Sequence, residues 1–348
     1  MAEVYLETNR DQSIEELVQL ASTYYDSGDI VNEKYLNWQY NTNPFGKPYM
    51  TIAREDDKNE MVGQYLVIPL EYSINGKIEK GTLSLNTLTR GDYRGKGLFT
   101  KTALKTYEEC ANDNAKLTVG FPNQQSYPGF VKKLGFKYMG DIPLLIKPLK
   151  PINLFLNKLF KKKEKHGGEI LLKIEESSFV KELSFENDKE KYTEFWESYK
   201  KDKKVILNKS IEFLKWRYVN IPTRNYKIFK IENEDKIDAI IIFRGENTLG
   251  SRTAIIMDYM ALDNDGTELL KYILKELKKN NIEMSAVLSM PHTKENSLFK
   301  QKGFYKVPKK ILPQPIPYIV RQNIENKESS DIMELDNWHI GFGDYDVF

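Results

Sequence analysis

A repeated order of short motifs is the feature that most constrains how this 348-residue chain can fold. Residues 35–44 read YLNWQYNTNP and residues 213–222 read FLKWRYVNIP, with Leu, Trp, Tyr and Pro at the same spacing. Two more pairs follow in the same order: GFPN at 120–123 with SMPH at 289–292, and FVKKLGF at 130–136 with LFKQKGF at 298–304. Three ordered matches indicate one structural unit used twice.

The residues between these motifs predict the same elements in both copies. The first copy has β-rich runs near 48–54, 61–72 and 77–90, a helix near 98–111 and a strand near 116–121. The second copy has strands near 226–232, 237–244 and 252–261, a helix near 266–280 and a strand near 282–290. Asn75-Gly76 predicts a type I′ hairpin turn, since both central residues need φ > 0. The sequence therefore predicts an α+β chain with two tandem domains, each a mixed, mostly antiparallel central sheet flanked by helices.

The composition narrows the classes of partner. Fifty-two basic and 50 acidic residues nearly cancel, so the overall charge gives no support for nucleic-acid binding. Cys110 is the one cysteine and the three histidines are scattered, which excludes an internal disulfide and argues against a metal site. The sequence begins without a signal-peptide pattern and contains no apolar run of about 20 residues, so we expect a cytoplasmic protein.

We place the predicted boundaries where the composition changes. They give an N-terminal domain at 1–147, a linker at 148–168, a second domain at 169–325 and a C-terminal tail at 326–348. The linker is rich in lysine, and its apolar residues recur at helical spacing, which predicts a basic amphipathic helix. A connecting helix with a solvated lysine face is one interpretation, and weak contact with an anionic membrane surface is the other.

A glycine-rich loop separates the third strand of the first copy from the helix that follows. Residues 90–100 read RGDYRGKGLFT. Glycines expose backbone N–H groups, and the helix N-terminus adds partial positive charge, so such a loop suits an anion. Arg94 and Lys96 add full charges suited to phosphate. The loop matches neither the GxxxxGK[ST] phosphate loop nor the GxGxxG dinucleotide fingerprint.

At this loop the chain resembles the GNAT superfamily of acetyltransferases. The family's pyrophosphate motif is (Arg/Gln)-x-x-Gly-x-(Gly/Ala); residues from Arg94 to Gly97 match it, and Phe99 stands at the usual last Gly/Ala position. Residues 117–123 and 130–136 look like the family's fifth strand, next helix and Gly-Phe turn. The resemblance spans about 33–145, and the repeat extends it to about 211–320.

The resemblance implies direct transfer of an acyl group from acetyl-CoA, as co-substrate and without a metal, to the primary amine of a small molecule. Strand amides near Thr87–Thr89 would stabilise the oxyanion that develops on the thioester. The predicted cofactor contacts come from this strand, from the loop and from the motif that follows the fifth strand. They are Thr87, Leu88, Thr89, Arg94, Gly95, Lys96, Gly97, Leu98, Phe99 and Asn123.

The proton-transfer residues do not follow the family pattern. A tyrosine four residues before the Gly-Phe turn often protonates the leaving thiolate in the family, and Val131 stands there. Tyr127 or Ser126 could substitute, or no acid is used. In the tail, Asp344 is a candidate to bind or deprotonate the amine; the alternative for the tail is a final strand that covers a sheet edge.

The second copy has an acidic segment in place of the loop. Residues 263–268 read DNDGTE, with one glycine and three carboxylates. Carboxylates repel a pyrophosphate, so we expect this domain to bind no CoA and to shape the acceptor pocket instead.

Three functions stay open from the sequence. The first is an N-acetyltransferase acting on a small amine, with an amino sugar of surface polysaccharide as one candidate. The second is a Fem-type aminoacyl transferase, which would need no pyrophosphate loop. The third is a non-catalytic acyl-CoA-binding protein. The sequence leaves the oligomeric state open.

Overall fold

The computed structural model of the chain describes residues 3–151, 167–248, 250–262, 266–312, 314–324 and 329–345. Most of the predicted linker helix, and with it the hypothesis of membrane contact, falls outside these ranges. None of the described helices is both long and apolar enough to cross a bilayer.

The described strands are the following: β1 (Val4–Thr8), β2 (Tyr49–Glu55), β3 (Met61–Ile74), β4 (Lys77–Thr89), β5 (Leu117–Gly120), β6 (Lys137–Asp141), β7 (Leu144–Pro148), β8 (Glu169–Ile170), β9 (Val180–Glu182), β10 (Val205–Leu207), β11 (Lys227–Asn233), β12 (Lys236–Thr248), β13 (Ser251–Ala261), β14 (Met284–Leu288), β15 (Tyr305–Lys306), β16 (Pro317–Gln322) and β17 (Trp338–His339). The α-helices are α1 (Ile14–Ser22), α2 (Glu33–Asn41), α3 (Leu98–Asn112), α4 (Tyr127–Lys133), α5 (Lys189–Lys200), α6 (Ile211–Leu214), α7 (Gly266–Lys279), α8 (Lys294–Gln301) and α9 (Ser329–Ile332).

The chain divides into two compact units, and neither is continuous in sequence. The first unit comprises 1–141, 220–223 and 316–337, and the second comprises 142–219, 224–315 and 338–348. The boundaries predicted at 147 and 169 stay a prediction.

The two units contain sheets of the same design. In the first unit the strand order is β1-β2-β3-β4-β5-β16-β6, and the second has β15-β7-β14-β13-β12-β11-β9 with β8 beside β12. Along each of these two strand orders one neighbouring pair is parallel, β4 with β5 and β13 with β14, and a helix connects the two strands of that pair. The predicted α+β fold with two mixed, mostly antiparallel sheets is confirmed.

Each sheet receives a strand from the other half of the sequence. β7 follows the N-terminal copy but pairs with β14, with Leu144 opposite Leu288. β16 follows the second copy but pairs with β5, with Ile319 opposite Gly120. No sequence motif indicated this exchange.

The local predictions agree with the structure at the hairpin and in the repeated motif. Asn75 and Gly76 have φ of 50° and 81°, as a type I′ turn requires. Trp38 and Trp216 are 5% and 4% exposed, so the repeated tryptophans are core residues rather than ligand platforms.

A matched pair of glycines tests the packing of the first sheet. A Cβ at Gly81 would lie 2.6 Å from Cδ2 of the buried Tyr72 ring, whereas a Cβ at Gly63 would make ordinary contacts of 3.6 Å or more. We expect Gly81→Ala to lower the free energy of unfolding by about 1–3 kcal/mol, because the ring has to move in a close-packed core. Gly63→Ala is the control and should change it by less than about 0.5 kcal/mol. Chemical denaturation measures both, and equal effects would contradict the packing described here.

Candidate functional site

The parallel strands β4 and β5 separate soon after they meet. They pair from Gly81 opposite Leu117 to Ser84 opposite Gly120, and β4 then continues to Thr89. Beyond Ser84, no described residue of β5 pairs with β4, and we call this edge of β4 from Leu85 to Thr89 the wedge. Backbone groups in such a wedge are available to a ligand that lies between the strands.

A bulge in β4 lies directly at the opening of the wedge. The β3–β4 register shifts between Gln64 and Leu66, and Asn86 has φ of 49°. Asn tolerates this left-handed conformation better than most residues. A bulge re-aims the backbone that follows it, and the residues that follow are the predicted thioester contacts Thr87, Leu88 and Thr89.

Helix α2 fixes the bulge. The Asn86 side-chain amide donates to Gln39 Oε1 at 2.9 Å and to Tyr40 Oη at 2.7 Å. The amide of Gln64 donates to the Asn86 carbonyl at 2.7 Å. Gln39 and Tyr40 belong to the first repeated motif. This motif therefore positions β4 in addition to contributing residues to the hydrophobic core. The sequence analysis did not predict the role of Asn86 in the bulge. The available signal was an asparagine in the middle of a strand-like segment.

The predicted phosphate loop leads from β4 into α3. Gly95 and Gly97 both have φ of 77°, and a Cβ at either would meet nothing within 4 Å. Helix α3 begins at Leu98, runs for 15 residues and has no acidic residue in its first turn. Its N-terminal amides therefore face open space in a region suited to an anion.

Arg94 and Lys96, the two cations between Tyr93 and Leu98, each lie on an aromatic ring. The Arg94 guanidinium is 4.8 Å from the centroid of the Tyr24 ring, and Lys96 Nζ is 4.0 Å from that of Tyr93. Tyr24 also donates its hydroxyl hydrogen to the carbonyl of Thr89. Among the described residues neither Arg94 nor Lys96 forms an ion pair, so both charges are available to an anion. Sequence reasoning missed Tyr24, which no motif marks.

Arg90 has a different role from its basic neighbours. It forms ion pairs with Asp92 at 2.9 Å, with Glu60 at 3.0 Å and with Glu55 at 3.4 Å. The hydrogen bond from Arg90 lowers the pKa of Asp92 below its usual range. Arg90 therefore balances the negative charge of the carboxylates in and beside the loop.

Phe99, which departs from the family motif, turns into the core. Its ring is 5.9 Å from that of Tyr65 and 5.5 Å from that of Phe130. The space it needs exists because residue 129 is glycine: a Cβ there would lie 2.9 Å from Phe99 Cε1. Phe99 thus occupies the volume beside Gly129.

The predicted acid candidates lie at the start of α4. Asn123 Oδ1 accepts hydrogen bonds from the backbone N–H of Gln125 at 3.0 Å, from that of Ser126 at 2.9 Å and from Ser126 Oγ at 3.1 Å. Tyr127 packs on the core, with its ring 5.6 Å from the ring of Tyr138. The oxygen of Asn123 is therefore engaged in the turn that precedes α4.

Asp344 lies in the second unit, in a buried cluster of charges. Its Oδ2 is 3.2 Å from Lys209 Nζ and accepts the N–H of Gly341 at 2.7 Å. Lys209 also pairs with Asp258. Burial raises the pKa of Asp344, while Lys209 acts in the opposite direction. Nearby, β17 pairs in parallel with β10, so the tail includes a strand, as the structural alternative predicted.

The family comparison agrees with this geometry. A family model described as acetyltransferase (GNAT) domain matches residues 7–139, which contain α2, the β4–β5 wedge and the glycine loop. The N-terminal part of the chain, residues 7–139, is therefore similar to GNAT acetyltransferase domains. No curated protein sequence matches this chain significantly.

Solved structures resemble this chain over most of its length. A GCN5-related N-acetyltransferase from Anabaena variabilis matches with a TM-score of 0.65 and 14% identity, over 92% of this chain and 73% of that one. The N-myristoyltransferase of Saccharomyces cerevisiae, with bound myristoyl-CoA, matches with a TM-score of 0.60 and 14% identity, over 94% and 84%. A probable N-acyltransferase from Enterococcus faecalis matches with a TM-score of 0.59 and 11% identity, over 92% and 73%. At these identities the likeness concerns the fold.

Two substitutions in the glycine loop test the site. We expect Gly97→Val to weaken CoA binding at least tenfold, because its side chain disfavours φ of 77° and blocks close approach of a phosphate. Arg94→Ala should also weaken binding about tenfold or more by removing a charged donor. Isothermal titration calorimetry with CoA measures both.

The controls separate the site from general damage. Gly76→Val places the same side chain at an exposed turn with φ of 81°, and Lys101→Ala removes an exposed cation further along α3. Both should retain the CoA affinity of the unsubstituted chain. Unchanged affinity in both loop variants would rule out this loop as the pyrophosphate site.

Proposed function

We propose that this chain transfers the acetyl group of acetyl-CoA to the primary amine of a small molecule, with an amino sugar of surface polysaccharide as one acceptor to test. The proposal is supported mainly by three structural features that adjoin one another in the sequence. The wedge beyond Ser84, the bulge at Asn86 and the open loop of Arg94–Gly97 follow one another along one stretch of chain. Phosphate anchoring and strand amides together can position and polarise a thioester.

The packing at the start of the wedge supports a short acyl group. Ser84 Oγ is 2.8 Å from the hydroxyl of Tyr65, which in turn hydrogen-bonds to the hydroxyl of Tyr107 on α3. Tyr65 and Tyr107 are 0% and 2% exposed. These buried hydrogen bonds connect Ser84 to α3, and in our proposal they leave too little space there for a long acyl tail. Myristoyl-CoA, bound by the yeast structural neighbour, is the contrasting donor.

For the proton steps we propose the residues that the sequence indicated. Tyr127 or Ser126 would protonate the leaving thiolate, and Asp344 would accept the ammonium proton. A carboxylate whose pKa is raised is a better general base near neutral pH than an ordinary one, and burial acts on Asp344 in that direction. We also propose a cytoplasmic location.

The alternative functions predict different ligands. A Fem-type aminoacyl transferase would use a charged RNA and would have no need for the unpaired cations Arg94 and Lys96. A non-catalytic acyl-CoA-binding protein would bind the donor without releasing thiol. Thiol release identifies the acetyltransferase, and CoA binding without thiol release distinguishes the non-catalytic protein from the Fem-type enzyme.

We expect thiol release from acetyl-CoA in the presence of a suitable amine, and at least tenfold lower kcat/KM with myristoyl-CoA. The physical reason is the filled space beside Ser84. The measurement is a thiol-detection assay over a panel of amines that includes amino sugars, with both donors at matched concentrations. Faster turnover of myristoyl-CoA would contradict the acetyl preference, and binding without turnover of either donor on the panel would favour the non-catalytic alternative.

Tyr127→Phe tests the acid. If its phenol protonates the thiolate, kcat should fall about 100-fold or more, a typical contribution of a general acid, while the affinity for acetyl-CoA stays unchanged. Tyr138→Phe is the matched control, since that ring contacts Tyr127 and its hydroxyl donates to Asp141. A normal kcat for Tyr127→Phe would assign the role to Ser126, tested by Ser126→Ala, or remove the need for an acid.

A further inference from the structure

The second unit repeats the wedge of the first. β13 and β14 pair in parallel from Thr253 opposite Met284 to Ile256 opposite Val287, and β13 then continues to Ala261. The β12–β13 register shifts directly after Ile256, so a bulge follows the last parallel pair here too. A wedge of the same construction therefore opens in a unit that lacks the glycine loop.

A cavity occupies this second wedge. Its walls come from β13 beyond the last pair, from the end of β14, from α5 and α8, and from the tail at His339–Gly341. Its volume is about 50 Å³. At about 10–15 Å³ per water on this measure, the cavity holds roughly three to five non-hydrogen atoms. This volume suits a very small ligand.

Glu295 presents an incompletely bonded carboxylate to this cavity. Its Oε1 accepts the hydroxyl hydrogen of Tyr199 at 2.8 Å, whereas its Oε2 is buried and has no hydrogen-bond partner among the described residues. The side chain of Glu295 is 11% exposed. A buried carboxylate oxygen without a donor is costly, which makes it a good acceptor for a ligand that brings one.

The neighbouring side chains do not neutralise the negative charge of the Glu295 carboxylate. His339 Nε2 lies 3.9 Å from Glu295 Oε2, but burial lowers the pKa of His339 to about 3, so this imidazole is neutral near pH 7. Lys209 also lines the cavity, but it already pairs with Asp258 and Asp344. Among the residues that line the cavity, Lys209 is thus the one lysine or arginine, and it pairs with Asp258 rather than with Glu295.

We propose that this cavity binds a small primary ammonium ion, with the charged nitrogen on Glu295 Oε2. The ammonium supplies the missing donor and the missing positive charge together. Apolar walls that include Met257, Met290 and Phe299 accept the short carbon chain of such a ligand. The residues of this ligand site belong to the second unit, and the binding of an ammonium ion to Glu295 does not require the proposed acetyl transfer.

The test uses n-propylammonium and the full-length chain. Calorimetry should detect its binding, and neither 1-propanol nor propionate, which match it in size but lack the positive charge, should bind comparably. Glu295→Gln keeps the side-chain shape and the acceptor for Tyr199 but removes the charge, and it should weaken propylammonium binding at least tenfold. Glu295→Asp restores the charge and should recover part of the affinity.

The control variant is Glu212→Gln, which neutralises an exposed carboxylate whose side chain is 57% exposed. It should leave propylammonium affinity unchanged, and a thermal melt together with CoA affinity shows whether each variant is folded. Absence of propylammonium binding at millimolar concentrations, equal binding of 1-propanol, or unchanged affinity in a folded Glu295→Gln variant would each overturn the proposal. CoA binding and thiol release are measured separately from propylammonium binding. Failure of the proposed acetyl transfer can therefore be told apart from failure of the ammonium proposal.

Discussion

The early end of a parallel strand pair is the constraint on which the function of each unit depends. Hydrogen bonds between β4 and β5 hold for only the pairs from Gly81 to Ser84, and β13 with β14 follows the same rule from Thr253 to Ile256. A backbone donor that leaves its partner has to bond with something else. In our proposals a ligand occupies each wedge, and the surrounding side chains determine which ligand it binds.

The two wedges differ in the charged side chains that lie next to them. In the first unit Arg94 and Lys96 lie on tyrosine rings without an ion-pair partner among the described residues, and glycines with positive φ expose the backbone. In the second unit the charged groups line the cavity, where Glu295 Oε2 has no hydrogen-bond partner among the described residues and Lys209 pairs with Asp258. One construction thus offers an anion site in one unit and, in our proposal, a cation site in the other.

The sequence predicted the parts of the fold that depend on neighbours along the chain. The Asn75-Gly76 turn, the strand limits around it and the glycine loop all follow from local conformational preference, and each appears as expected. The exchange of β7 and β16 depends on pairing between distant segments, which a single sequence does not encode in any local pattern. The bulge at Asn86 and the support of Arg94 by Tyr24 depend on contacts made only after folding.

The central claim is that only the first wedge binds CoA. Isothermal titration of the full-length chain with CoA tests it most directly, because the molar ratio counts the sites without any substitution. Our account predicts one CoA per chain. A ratio of two would contradict the distinction between the wedges, and absence of binding would contradict the assignment of the Arg94–Gly97 loop.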